Sequence, residues 1–240
     1  MGKLTPREDG APWRNFYGRR RGKTLRKGQK SLLEERLEDL SVPGLAWAEN
    51  PERRPIDFRA LEPGCREAWL EVGFGGGEHL LAMARGNPST LLLGCEPFRN
   101  GVAMCLSGLE AAPLPNVRLH EGDAREVFDV APDAAFSRIF VNYPDPWPKK
   151  RHHRRRFIGP ETLPHLARIA APGARLHVAT DIPDYVRHVL EAMRAAPAFR
   201  WTAEGPEDWR RPWADWPGTR YEAKALAEGR PPHYLTFVRV

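Results

Sequence analysis

Short apolar runs alternate with helical patterns through the middle of the chain. The runs are Trp69-Leu70-Glu71-Val72-Gly73, Leu91-Leu92-Leu93-Gly94-Cys95, Val117-Arg118-Leu119-His120, Arg138-Ile139-Phe140-Val141 and Ala174-Arg175-Leu176-His177-Val178-Ala179. Strands separated by crossover helices predict an α/β fold with a mostly parallel sheet. Helices are expected to begin near Gly77, Phe98, Pro160 and Pro183, the last two placing proline in a first turn where its missing N–H costs little. Beyond Phe199 the sequence turns rich in tryptophan and proline, and it ends in an apolar run, Tyr234 to Val238, suited to capping a sheet edge.

Before Cys65 the pattern differs. The first forty or so residues mix basic runs, Gly and Pro with one amphipathic stretch, Ser31 to Leu37, whose leucines recur at helical spacing. This predicts a mobile basic arm. Residues 50 to 63, rich in Pro, Arg and Glu, read as a connection, so the chain divides into an arm and connection over 1–63 and a compact domain over 64–240. No internal repeat or low-complexity tract interrupts it.

Composition narrows the partners. A hydrophobic share of 41% is enough for a core. No apolar run approaches the roughly 18 residues needed to cross a bilayer, and Met1 to Gly10 is too charged for a signal peptide, which predicts a cytoplasmic protein with no membrane partner. Cys65, Cys95 and Cys105 lack metal-binding or disulfide-scaffold spacing and are expected as free thiols. The histidines are scattered, so no metal is expected, and His177, among apolar neighbours, reads as a satisfied core residue. The net charge of +6 is concentrated in Arg19 to Lys27 and Lys149 to Arg156, two clusters that suit a polyanion.

The segment Glu71-Val72-Gly73-Phe74-Gly75-Gly76-Gly77 joins the first strand to the first helix, where Gly73, Gly75 and Gly77 allow tight turning and close approach of a ligand. The dinucleotide fingerprint G-x-G-x-x-G needs glycine at position 78, which is Glu78. An acid before the loop, Glu71, suits a cationic sulfonium or an amino group better than a diphosphate. Glu96, ending the second strand, is placed to accept both hydroxyls of a ribose, and Asp123, after the third, to accept the amino group of an adenine. Three carboxylates at successive strand ends converge on one crevice.

After the fourth strand comes Asn142-Tyr143-Pro144-Asp145-Pro146-Trp147-Pro148-Lys149-Lys150-Arg151-His152, stiffened by prolines and carrying a carboxylate, aromatic rings and lysine together. This loop, the Glu-x-Gly-x-Gly-x-Gly segment, Thr180-Asp181-x-x-x-Tyr185 and Thr219-Arg220-Tyr221-Glu222 closely resemble the bacterial tRNA guanine-N7 methyltransferases, over roughly Arg14 to Val240.

The resemblance implies a Rossmann-like, class I S-adenosylmethionine-dependent methyltransferase fold, with a mostly parallel seven-stranded sheet. It implies tRNA as partner and, as acceptor, a guanine in the variable loop at position 46. Residue by residue, it gives Glu71, Gly73, Gly75, Gly77, Glu96 and Asp123 as contacts of S-adenosyl-L-methionine, and Asp145 as both cofactor contact and catalytic residue. It gives Lys149, Asp181, Thr219, Arg220, Tyr221 and Glu222 as substrate contacts, and Arg151, His152, His153, Arg154, Arg155 and Arg156 as the RNA-binding run. Tyr143 stands where many relatives carry Phe. Monomer and homodimer both remain compatible with the sequence.

Guanine N7 carries an in-plane lone pair, so its methylation removes no proton from the nucleophile, and positioning dominates. Lys149 then suits a phosphate or guanine O6, while Tyr143 and Trp147 either stack on the base or pack in the core. Competing readings are another S-adenosylmethionine-dependent RNA methyltransferase, such as an amino-group enzyme, or a noncatalytic RNA-binding subunit. The order Asn-Tyr-Pro-Asp-Pro differs from the Asn/Asp-Pro-Pro-aromatic loops of amino-group enzymes, and the full set of acids argues against loss of chemistry.

Overall fold

The computed structural model describes residues 16–240; Met1 to Gly10, the start of the resemblance at Arg14 and the outer part of the expected arm lie outside the described residues. The sheet is built from β1 (Glu67–Val72), β2 (Thr90–Cys95), β3 (Val117–His120), β4 (Phe136–Asn142), β5 (Ala170–Thr180), β6 (Phe199–Trp201) and β7 (His233–Arg239). Their order across it is β3-β2-β1-β4-β5-β7-β6. The first five strands run parallel, and β7 enters antiparallel between β5 and β6. The terminal apolar run is therefore interior to the sheet rather than its cap. The edge is β6, whose three residues pair only with β7.

β2 is buried at every position, as expected of a central parallel strand covered on both faces. On one face Leu70, Leu91, Leu93, Ile139, Val141, Leu176 and Val178 form a core with α5 (Ala124–Val130), α6 (Leu163–Ile169) and α7 (Pro183–Arg194). On the other, Trp69, Leu92, Leu119 and Phe140 pack with α3 (Glu78–Gly86) and α4 (Arg99–Ala111). Chain order reverses between β1 and β4, so a crevice opens at the carboxyl ends of these two neighbours.

Helices start where expected at Gly77, Phe98 and Pro183. Gly77 caps α3 with φ 86°, and a Cβ there would lie 2.6 Å from the Cys105 sulfur, so both conformation and space require glycine. Near Pro160 the helix begins later. The Thr162 hydroxyl bonds to the Phe157 carbonyl, the intervening residues form a turn, and α6 starts at Leu163 with Pro164 in its first turn.

The expected mobile arm is, from residue 16 onward, docked on the domain. Asn100 on α4 accepts from the Gly22 amide at 2.8 Å and donates to the Lys23 carbonyl at 2.7 Å, while the Arg99 amide donates to the Arg20 carbonyl at 3.0 Å. α1 (Lys27–Glu35) follows and buries Leu33 in the α4 face of the core; the short helix α2 (Leu37–Leu40) completes this layer. Val42, Leu45 and Phe58, from the stretch read as arm and connection, are buried in the opposite core. Near the chain end, α8 (Glu207–Arg210) and α9 (Arg220–Ala227) lie between β6 and β7. Among the described residues, no helix is long and apolar enough to cross a membrane.

Candidate active site

A cavity of about 1050 Å³ lies at the switch point. It is lined by Gly73 after β1, Glu96 after β2, Asp123 after β3, and Asn142 to Asp145 at the end of β4. The docked arm contributes Phe16 and Tyr17, the basic run contributes His153 to Arg156, and Tyr221 of α9 completes the boundary.

Glu96 holds the glycine loop and α4 together. Its Oε2 accepts the Gly75 amide at 2.7 Å and its Oε1 the Phe98 amide at 2.8 Å. Burial raises the Glu96 carboxyl above its ordinary value, against the opposing effect of those two amides and of Arg220. Each oxygen keeps a second lone pair, which leaves two acceptor sites for a diol. Asp123 caps α5 through the Arg125 amide at 2.9 Å, and its Oδ2 accepts from Arg125 Nη2 at 2.5 Å.

Gly73 has φ 72°, and nothing lies within 4 Å of the position a Cβ would occupy, so the loop leaves open space beside the cavity. Two carboxylates at successive strand ends, an open glycine turn and a cavity of this size fit a ribose, an adenine and a cationic sulfonium.

The β4 loop turns sharply. Tyr143 (φ 49°) and Trp147 (φ 44°) both take left-handed backbone conformations around the Pro144-Asp145-Pro146 segment. Desolvation raises the Asp145 carboxyl above its ordinary value. Tyr143 stacks near Tyr221, ring centroids 6.3 Å apart, and Trp147 meets Tyr17 edge-on at 6.2 Å.

The basic run folds as a 3-10 helix over Lys150–Arg155, and its residues do different things. Arg151 and Arg154 are exposed. Arg155 lies over both Tyr17 (4.3 Å) and Trp147 (4.9 Å), joining the arm to the β4 loop. Arg156, expected to bind RNA, has a side chain only 1% exposed. It donates to Asp184 at 2.5 Å and to the Pro146 carbonyl at 2.8 Å, so it braces the loop instead.

Not every expected site residue reaches the cavity. Glu71 is buried against His79 at 2.8 Å and is not part of the lining. Gly75 and Gly77 shape the loop behind it. Asp181 accepts from Arg230 Nε at 2.5 Å, while Lys149 is exposed outside the cavity. Thr219, Arg220 and Glu222 border a second, shallower depression with Glu78. His177 is buried as expected, with its Nδ1 3.0 Å from the Thr236 hydroxyl, but Nε2 has no partner. Among the described residues, no three His, Cys, Asp or Glu side chains form a group that could hold a metal, and the three cysteines are free. The arm residues Phe16 and Tyr17 were missed from the sequence, where only their aromatic character beside a basic run hinted at a stacking role.

Comparison with known proteins follows the same lines. A family model described as "Putative methyltransferase" matches residues 66–235. A protein of Ruegeria sp. (strain TM1040) named tRNA (guanine-N(7)-)-methyltransferase is 59% identical, the match covering 96% of this chain and 89% of that one. Its namesake from Ruegeria pomeroyi is 57% identical over 100% of this chain and 99% of its own. Among solved structures, the 16S rRNA methyltransferase KamB superposes with a TM-score of 0.55 at 20% identity, covering 76% of this chain and 92% of that one, a likeness of fold.

Proposed function

We infer that this chain, which belongs to the family of tRNA (guanine-N(7)-)-methyltransferases, transfers a methyl group from S-adenosylmethionine to N7 of a guanine in tRNA. The observation that carries this reading is a single cavity that joins Gly73, Glu96 and Asp123 to Asp145 and the basic run. Position 46 of the variable loop is our finer assignment, supported by the resemblance of the Asp145 loop and of Thr219 to Glu222 to the family's motifs.

When bound, S-adenosylmethionine supplies an electrophilic methyl group carried on a positively charged sulfur. Glu96 would hold its ribose hydroxyls, Asp123 its adenine end, and the open turn at Gly73 would admit its methionine part. Asp145 borders the same cavity from the β4 side, where the acceptor base has to enter. Because N7 holds its lone pair free of any proton, no residue needs to act as a base on the nucleophile. Attack leaves positive charge on the guanine ring, and the Asp145 carboxylate stabilises that charge more than it stabilises the neutral base. Arg154, exposed and part of the cavity lining, and the exposed Arg151 three residues before it suit the phosphates of a structured RNA.

Incubation with methyl-labelled S-adenosylmethionine and unmodified tRNA, followed by nuclease mapping, tests the assignment. Label recovered as 7-methylguanosine at position 46 is expected. Label on an exocyclic amino group, or on a guanine elsewhere in the tRNA, would contradict it.

A further inference from the structure

The sheet parts at the level of the cavity. Val72 of β1 still pairs with Val141 of β4, but one residue later the two strands turn away from each other. The Gly73 amide donates to the Cys95 carbonyl of β2 at 2.8 Å, and the Tyr143 amide donates to the Ala179 carbonyl of β5 at 2.8 Å. Asn142, the last residue of β4, therefore stands across the opening from the Gly73 turn and shortly before Asp145. It belongs to the cavity lining.

The Asn142 side chain is 7% exposed with its residue, yet among the described residues neither its Oδ1 nor its Nδ2 has a hydrogen-bond partner. A second buried asparagine, Asn116, shows what a framework role looks like: its Nδ2 donates to the carbonyls of Ala84, Asn87 and Thr90 at 3.0, 3.1 and 2.9 Å. Burying an amide without partners is unfavourable. At the edge of a ligand cavity, a partner that arrives with the ligand accounts for it.

The rest of the cavity decides which part of the cofactor comes here. With Glu96 and Asp123 taking the ribose and the adenine, the methionine part is left to run past Gly73 towards Asn142. That part ends in an α-ammonium and an α-carboxylate side by side. A carboxamide offers an acceptor oxygen to the first and N–H donors to the second, and being uncharged it repels neither.

We propose that the Asn142 carboxamide binds the α-amino-acid group of S-adenosylmethionine, and is a cofactor contact and not a framework residue of β4. The inference rests on the methyltransferase reading and names a further residue of that same site.

Two ligands isolate this contact. S-adenosylhomocysteine carries the amino-acid group, whereas 5′-methylthioadenosine has the same adenine, ribose and sulfur without it. Calorimetry with each gives a preference ratio for the parent, for Asn142→Leu, which keeps the branched shape, and for the smaller Asn142→Ala. Both variants are expected to cut the preference for S-adenosylhomocysteine about tenfold, the scale of one lost hydrogen bond to a charged group. Methylthioadenosine affinity should stay within about twofold of the parent. Asn142→Leu should leave the melting temperature of the ligand-free protein equal or higher, because it removes a buried amide that had no partner. A parental ratio in the variants would overturn the proposal, as would equal losses for both ligands. A melting temperature lowered in Asn142→Leu would show an amide partnered inside the fold, and would overturn it too. So would a saturated transfer rate that falls while the ratio stays parental, which moves the amide to the acceptor base. A parent that binds both ligands but leaves tRNA unmethylated sinks the functional reading alone, and the ratio still decides this contact.

Discussion

Glu96 Oε2 accepts the amide of Gly75 at 2.7 Å, a contact from the end of the second strand to the middle of the glycine loop. The same carboxylate takes the Phe98 amide at the start of α4. One side chain thus sets the shape of the loop and keeps spare lone pairs facing the cavity, so cofactor binding and loop geometry are coupled at this residue.

Replacing Glu96 with Ala should therefore weaken S-adenosylmethionine binding by about 1.5 to 3 kcal/mol, the range for hydrogen bonds to a charged group. Calorimetry on the RNA-free protein measures it. Unchanged affinity would show that the ribose lies elsewhere, and tight NAD binding would contradict the choice of cofactor.

Arg154 and Arg156, two positions apart, should behave oppositely. Arg154→Ala is expected to reduce the salt dependence of tRNA binding by about 0.7 to 0.9 log units for one lost phosphate contact, with thermal stability unchanged. Arg156→Ala should instead lower stability by about 1 to 3 kcal/mol, since it strips the Pro146 carbonyl and Asp184 of their donor. A parental salt slope in the first, or a parental melting temperature in the second, would reverse the assignments.

His177 makes stability depend on acidity. Burial lowers its pKa from 6.5 to about 3, with Arg138 acting in the same sense. On acidification the unfolded chain takes up this proton before the folded one does, so stability is lost as pH falls from about 6.5 towards 3. Between pH 7 and pH 5 this one group should account for about 2 kcal/mol. Urea unfolding of His177→Gln at both pH values should show that much less difference than the parent; an equal difference would mean that the imidazole is protonated in the fold.

The strand pattern was legible because buried parallel strands write themselves as continuous apolar runs, and β1 to β5 lie where Leu70, Leu92, Leu119, Ile139 and Leu176 predict them. β6 was not, since Phe199, Arg200 and Trp201 form a strand only by pairing with β7, a contact far along the chain. α5 has a local signal in Asp123, whose carboxylate is both the N-cap of the helix and a cavity residue. The docking of the arm depends on Asn100, 77 and 78 residues from its partners, and no periodicity encodes that. In the basic run, composition gave the charge of Arg154, Arg155 and Arg156 but not their division among solvent, aromatic rings and Asp184.

The central claim is that Asp145 stabilises positive charge on guanine during transfer and is not a base. Asp145→Asn keeps the shape and one acceptor but removes the charge, and because the loop borders the cofactor cavity, its rate has to be read at saturating S-adenosylmethionine and tRNA. A single-turnover rate reduced by the equivalent of about 2.7 to 4 kcal/mol, the scale of one preorganised electrostatic group, with the fold intact, is the predicted result. A near-parental rate would contradict the assignment.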